Sequence, residues 1–427
     1  MLFRLFTGRL ALLAFSGALV MLYVGFIQPG NAYLGYRPLE FTLEYFVAIS
    51  IAALVIGFTM PLEADKPSDF FRFFYSLLVV LPYGLLYASQ GEVSFDQFLL
   101  MLSALSLPLM LLSLTTRVTI AINTPAVISA RTIGVFLFVC MVFGTIYILL
   151  MAPKTASFDL ASIYVRRLDA REVFTAGSLG AYVQSITVNG LLPLTAYLAG
   201  IAEKRSRLLV VIACGAAFFY VLGLRAQFPM IAVGYLLGLN VSRSTVHRLP
   251  RQVLAIVAAV MAIAVLEWLV FDLSVVGDQI VRRVFTVPPF IISAYFDLMR
   301  DVAQGWSMIS GLSAPDGVTY LVGELYFNSP DSNANTNTFI YQLASGGVAA
   351  YAANVFLVTA VFILLDSLHR RKRQPVFLYL GFIFSVLLVE QNATTTLLSS
   401  GIGLFIIVYA FSKTMPISSV AGAQAKT

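Results

Sequence analysis

The sequence predicts an all-α polytopic integral membrane protein with about twelve transmembrane helices. Three observations carry that expectation. Of 427 residues, 59% are apolar and only 11% are charged, less than half of the roughly 25% typical of a soluble domain. Apolar runs near the ~20 residues that a helix needs to cross a bilayer recur along the whole chain. Basic residues fall on alternate connections between those runs, the pattern of cytoplasmic loops. A soluble globular chain and a disordered one are both excluded. Two Cys and two His cannot build a Cys/His metal cluster or a disulfide framework, so no metal and no cofactor are expected. The net charge of +6 reflects loop sidedness, and no nucleic-acid partner is implied.

The runs are 10–27, 43–60, 73–89, 97–115, 132–151, 181–200, 208–223, 226–240, 252–271, 338–365, 376–391 and 394–411. The first follows Arg4 and Arg9 but precedes Gln28-Pro29-Gly30-Asn31 rather than a small-residue cleavage site. It reads as a retained helix and not a signal peptide. The stretch 208–240 is too long for one crossing, about 50 Å at 1.5 Å per residue. Gly223, Arg225 and Pro229 place a tight turn at 223–229. With the N-terminus inside and sides alternating, 18 of the 27 cations lie inside with five acids, and every short inside loop is basic. Both termini are thus expected in the cytoplasm. The chain reads as one membrane domain, 1–427, with two long outer loops at 152–180 and 272–337. A loop of about 65 residues is long enough to be functional.

Outer arginines oppose the insertion bias, so their retention points to a use. They are Arg166, Arg167 and Arg171, then Arg225 in the tight turn, then Arg282 and Arg283, with Arg300 further on. Guanidinium keeps its charge and presents a planar fork to phosphate. Several of them converging on one outward cavity would suit a diphosphate. Salt bridging to Asp159, Asp169, Glu172 or Asp278 is the competing use. Residues 279–299 join a basic start to an apolar body, and Pro288-Pro289 is expected to prevent one continuous helix. The segment reads as lying in, or dipping into, the outer interface. Residues 320–338 are rich in Asn, Ser, Thr and Tyr, which bind sugar hydroxyls without a charge cost. Tyr320 and Tyr326 can stack on a pyranose face. Glu324 and Asp331 are the acids there that can act as a base, and Asp297 and Asp301 can orient arginines. His247 and His369 lie in inside loops, away from outward-facing chemistry. No useful GxSxG, Walker or HExxH pattern is present.

Together these features resemble the bacterial Wzy-like repeat-unit polymerases of O-antigen and exopolysaccharide synthesis. The resemblance rests on the twelve-span bundle with a late outer loop and on Gly223-Leu224-Arg225-Ala226-Gln227. It rests also on Arg282-Arg283-Val284-Phe285 with Pro288 and Tyr295-Phe296-Asp297. The fourth feature is Asn333-Ala334-Asn335-Thr336-Asn337-Thr338-Phe339 followed by Gly346-Gly347. Related ligases carry a His-Asn pair where Thr336-Asn337 stands, so the resemblance speaks against a ligase.

It implies an architecture akin to the integral-membrane glycosyltransferases in the bacterial inner membrane. The implied reaction is inverting, metal-independent transfer of a glycan from undecaprenyl diphosphate to a second lipid-linked repeat unit, on the periplasmic face. Arg225, Arg282 and Arg283 would hold the diphosphate and Glu324 would serve as base. Arg166, Arg167, Arg171, Tyr295, Tyr326, Asn335 and Asn337 would bind substrate. The implied partners are undecaprenyl-diphosphate-linked oligosaccharides, membrane lipid and a chain-length regulator. A lipid-linked oligosaccharide flippase or other secondary transporter is the alternative. The lack of a visible repeat and the one-sided polar mass weigh against it.

Overall fold

The structure is a computed structural model that describes residues 2–86, 94–122, 124–159, 162–175, 177–303, 310–312, 317–329 and 333–413. The small-residue tail at 417–427 lies outside the described residues. The chain is an all-α protein. Its one described strand pair, Ile128–Ser129 beside Ser412–Lys413, is a two-residue parallel ladder. Seven described helices are long and apolar enough to cross a membrane: Gly8–Leu34, Pro67–Leu86, Phe95–Arg117, Ala130–Leu150, Arg205–Leu222, Val246–Phe271 and Thr338–Lys372. Leu43–Thr59, Gln227–Ser242 and Val376–Leu387 are shorter apolar helices. The other two expected runs are divided. Leu179–Ser185 and Leu192–Ile201 are joined by a π turn at Ile186–Leu191. Ala393–Leu398 and Ile402–Ala410 are separated by Gly401 at φ 76°.

These helices are apolar on both faces. Leu13, Phe58, Leu114, Phe143, Leu209, Ile256 and Phe356 point out and are exposed, while Phe15, Leu109, Phe218 and Phe362 are buried. A helix that is hydrophobic all round cannot sit at a water boundary, so the outward surface faces lipid. Inside lipid there is no water to drive helices together, and close backbone approach through small residues matters more. Gly234 and Gly238, one turn apart, meet the Leu192–Ile201 helix. A Cβ on Gly238 would lie 2.2 Å from the Tyr197 carbonyl oxygen, and one on Gly234 would lie 2.6 Å from that of Pro193.

The expected turn at 223–229 is present and tighter. Gly223 ends the Arg205–Leu222 helix at φ 63°, and Gln227 opens the next helix with Pro229 in its first turn. The stretch 272–337, expected as a long outer loop, is largely helical among its described residues. A π segment, Gly277–Thr286, runs into the Val287–Ala303 helix, and Val318–Phe327 is also helical. The expectation that Pro288-Pro289 breaks the path is corrected. A proline ring clashes with the carbonyl four residues back. The widened π turns just ahead of the pair relieve that clash, and the path stays helical.

Connections gather at two ends of the bundle. At one end the Ala64 N–H donates to the His247 carbonyl (3.1 Å), and Arg251 pairs with Glu63 at 2.5 Å. Lys66 Nζ donates to the Thr116 carbonyl (2.8 Å). The Asp366 carboxylate accepts from the Ser68 N–H (2.9 Å) and hydroxyl (2.6 Å). Gln374 Nε2 donates to the Lys413 carbonyl (3.0 Å). These are the connections that the charge pattern groups on one side. At the other end Tyr23 Oη donates to the Arg37 carbonyl (2.8 Å). There the Thr338 N–H also donates to the Leu388 carbonyl (3.0 Å).

The long Thr338–Lys372 helix is broken at Gly346 and Gly347, the latter at φ 66°, ψ −163°. The carbonyl of Ala344, released by the break, accepts the Leu312 N–H at 2.7 Å. Broken backbone at membrane depth survives only where neighbours satisfy it. The backbone at Gly347 is a region essentially closed to other residues, costing about 1–3 kcal/mol to enter. Gly347→Ala is therefore expected to lower the thermal midpoint of the detergent-solubilised protein clearly. Gly17→Ala, which meets nothing within 4 Å, should leave it unchanged. Fluorescence-detected size exclusion after heating checks both.

Candidate functional site

The end opposite the basic connections carries most of the expected site residues. They fall into three groups, each set by local structure.

The first group surrounds the turn after Leu222. Arg225 is exposed there and enters no ion pair among the described residues. Beneath it Arg166 is fully buried, with its guanidinium 5.1 Å over the Phe219 ring. Its Nη1 donates to the carbonyls of Phe219 (3.0 Å) and Tyr220 (3.2 Å), and to that of Ser157. Its Nη2 donates to the Asp159 carbonyl (2.6 Å). The last carbonyls of a helix run short of partners within it; here the Gly223 N–H serves Phe219, the Ser157 N–H serves Tyr220, and Arg166 adds a second donor to each. The expectation that Arg166 binds substrate is corrected by its complete burial: its Nη1 and Nη2 donate to the chain, and it supports the turn that presents Arg225. Arg167 and Arg171 stand exposed on the Ile163–Val173 helix. Each is already engaged by a neighbour.

The second group lies on the Gly277–Thr286 segment. Its buried residues are Gly277, Val281, Phe285 and Thr286, the first three recurring every fourth position. The segment thus turns its other face outward, and Arg283 is exposed there with no ion pair among the described residues. Arg282 is half-buried, and its Nε donates to Asp278 at 2.6 Å. Burial opposes its charge, but the Asp278 carboxylate outweighs that and holds the guanidinium above its ordinary range. Burial also pushes the neighbouring Tyr36 phenol up, against the pull of Thr286 and Arg282 beside it. Tyr36 stacks on Phe290, ring centroids 4.7 Å apart. This fixes the 32–37 connection over the arginine segment. Arg37 pairs with Asp297 at 3.7 Å, and Arg300 pairs with its other oxygen at 3.7 Å.

The third group is a knot at the entry to the Thr338–Lys372 helix. Asn337 is its N-cap. The side-chain Oδ1 accepts from the N–H groups of Phe339 (3.1 Å) and Ile340 (3.2 Å). Such a cap stabilises a helix by about 1 kcal/mol. Tyr295 is fully buried, and its hydroxyl donates to the Ala334 carbonyl at 2.8 Å. Both were expected to touch substrate, and both are corrected. Each is buried; the Tyr295 hydroxyl donates to, and the Asn337 Oδ1 accepts from, backbone that fixes this entry. Asn335 remains exposed. Glu324 is exposed on the Val318–Phe327 helix, and Tyr326 is half-buried on the same helix. The side chain of Asp301, and Asp331 altogether, lie outside the described residues.

The structure does not bring all the expected arginines into one clamp. Arg282, Arg283, Arg37 and Arg300 belong to one neighbourhood. The helices flanking Arg225 pack on Ala130–Leu150, Ile163–Val173 and Leu192–Ile201. The Gly277–Ala303 stretch packs on Leu249–Phe271, Leu2–Leu22, Leu81–Leu86 and Thr338–Lys372. Sequence reasoning passed over Arg37, although it meets the criterion applied to the others: an outer arginine in a short connection. Among the described residues no group of three or more His, Cys, Asp or Glu is arranged to hold a metal ion. No protein-family model, curated protein or solved structure matches this chain.

Replacing Arg166 with Gln removes a fully buried guanidinium, its contact with the Phe219 ring and the carbonyl bonds that tie Ser157 and Asp159 to the end of the Arg205–Leu222 helix. The expected result is a loss of folded protein in membranes of at least tenfold. Arg167→Gln, on the exposed face of the same helix, should keep normal levels. Quantitative blotting of membrane fractions checks the pair.

Proposed function

We propose that this chain polymerises undecaprenyl-diphosphate-linked oligosaccharide repeat units at the outer face of the bacterial inner membrane. In this reading the chain crosses the membrane about twelve times, with both termini and the basic connections in the cytoplasm. The observation that carries the reading is Arg283, held outward beside the Arg282–Asp278 pair at the end opposite the basic connections. An arginine kept on the outer side against the insertion bias, and not consumed by an acid, is free to meet phosphate. Its likeness to the arginine runs of the Wzy-like polymerases supports the same role.

The chemistry follows from the charges. Transfer of the growing glycan breaks the bond between its first sugar and the diphosphate. Negative charge grows on the departing diphosphate oxygen. A preorganised guanidinium near that oxygen stabilises it, and removing one such donor costs about 3–4 kcal/mol in other enzymes. A diphosphate leaves without a strong acid, so the residue required is a base for the acceptor hydroxyl. Glu324, exposed and held on the Val318–Phe327 helix, takes that role in the proposal. Arg225 presents a second guanidinium at the outer surface. The lipid-linked donor and acceptor are the partners, with a separate chain-length regulator acting on the same product.

One observation favours transport instead. The break at Gly346-Gly347 gives a discontinuous helix, a device that transporters use at the membrane midplane. The two readings separate on a surface-polysaccharide gel read with extracts of lipid-linked intermediates. Arg283→Ala and Arg225→Ala should each reduce long chains at least a hundredfold and accumulate single repeat units on the outer side. Glu324→Gln should slow chain growth at least tenfold. Wild-type chains in both arginine variants would remove the phosphate role. Single units retained on the cytoplasmic side would replace polymerisation with transport.

A further inference from the structure

The Arg37–Asp297 pair borders a small cavity that the mechanism above does not use. Its wall is made by Gly35, Arg37, Phe290, Ser293, Asp297 and Tyr326, and it encloses about 140 Å³. That is well beyond the ~10–15 Å³ a single water occupies. It is below the roughly 300–1,000 Å³ of a drug-sized ligand site. The space suits one small ring.

The chemistry of the wall narrows the choice. Asp297 is 4% exposed, yet it has an arginine at each oxygen, both at 3.7 Å. A carboxylate accepts only and a guanidinium donates only. A hydroxyl does both. A hydroxyl placed between them donates to Asp297 and accepts from Arg37, so two charge-assisted hydrogen bonds form at once. A phosphate would gain from Arg37 but meet Asp297 with like charge. The same cavity is lined by the Phe290 ring and the half-buried Tyr326, which add apolar ring surface and a phenol hydroxyl. Ser293, 6% exposed, adds one more hydroxyl.

The cavity is also rigid. Gly35 is at φ 94°, and a Cβ there would stand 3.3 Å from the Phe290 ring. Tyr36 stacks on the same ring, and Phe290 meets Phe327 edge-on at 5.7 Å. The 34–37 connection and two helices are thereby locked around the space before any ligand arrives.

We propose that this cavity is a sugar subsite, binding one neutral pyranose of the lipid-linked repeat unit through Arg37 and Asp297 against Phe290 and Tyr326. This rests on the polymerase reading for the identity of the glycan. It assigns to Arg37 the positioning of a saccharide, not the neutralisation of diphosphate.

The test places the photo-crosslinking residue p-benzoylphenylalanine at Tyr326 in the full-length chain in living cells. The same probe goes at Phe228, beside Arg225, at Val284, beside Arg283, and at the outward-facing Leu404. After irradiation, mass spectrometry of the crosslinked peptides reads hexose-type fragment ions or acyl-chain fragments. The proposal expects saccharide fragments at position 326 and only acyl fragments at 404. Arg37→Ala should cut the saccharide adduct at 326 at least fivefold with an unchanged amount of protein in the membrane. Arg37→Lys should restore part of it. Saccharide adducts at 228 or 284 but not at 326 would overturn the subsite and leave the polymerase reading standing. No saccharide adduct at any position would overturn both. An adduct at 326 that Arg37→Ala does not change would remove Arg37 from the subsite. If Arg37→Ala lowers the protein level, Ser293→Ala replaces it with the same expected loss of adduct.

Discussion

The Thr338 side chain is the point on which the end of the molecule opposite the basic connections depends. Its hydroxyl oxygen accepts the Ala393 N–H at 2.8 Å and Asn354 Nδ2 at 3.0 Å, while its own N–H goes to the Leu388 carbonyl. All of this is buried. In a hydrophobic surrounding an unmet backbone N–H costs several kcal/mol, so a chain that leaves its helices at this depth must find partners at once. One threonine satisfies two donors and joins the start of the Thr338–Lys372 helix to the turn before Ala393–Leu398. Asn337 caps the same helix, and Tyr75 Oη reaches its Oδ1 at 3.4 Å. From this knot the Tyr295–Ala334 bond runs to the Val287–Ala303 helix. Along that helix lie Asp297 and Arg300, and ahead of it Arg282 and Arg283. The position of the charges at this end is a consequence of how buried backbone is satisfied.

Two kinds of arginine emerge from the same sequence signal. Arg166 and Arg225 lie in connections at the same end that look equally unusual in the sequence. One is fully buried, its guanidinium turned to four carbonyls and an aromatic face. The other is exposed on the turn that the first supports. Their difference is set by Phe219, which brings a ring under Arg166, and by Gly223, whose left-handed backbone turns the chain away before Arg225. Arg282 and Arg283 divide in the same way. Neighbours on a helical path face different directions, and only one of them meets Asp278.

Much of the helix inventory was legible because hydropathy reports directly on length in lipid. Each expected run meets apolar helix, and the split at Gly223 falls within the expected turn. The glycine contact of Gly234 and Gly238 with the Leu192–Ile201 helix was written in the sequence as two glycines one turn apart, but their partner was not. Other features had no local signal. The π turns at Tyr23–Ile27, Ser76–Val80 and Ile186–Leu191 fall in runs whose residues would serve a regular helix equally well. Residues 272–337 read as a loop because their charge and prolines interrupt the apolar pattern. The described ones fold largely as helix because an amphipathic path needs only one apolar face. The candidate site was legible as residue types and not as a constellation. Tyr295 and Asn337 are polar residues in a polar stretch, and nothing local tells a side chain that binds a sugar from one that binds a carbonyl. Arg37 stood too far along the chain from Asp297 to be joined with it.

The central claim is glycosyl transfer between lipid-linked repeat units, and purified chain tests it most directly. The protein in lipid nanodiscs would be incubated with undecaprenyl-diphosphate-linked repeat units and a chelator, without nucleotide. The products would be resolved by chain length. The account predicts a ladder of two, three and more repeat units, with one undecaprenyl diphosphate released for each bond formed. Intact single units after prolonged incubation, with protein that remains folded and monodisperse, would contradict it.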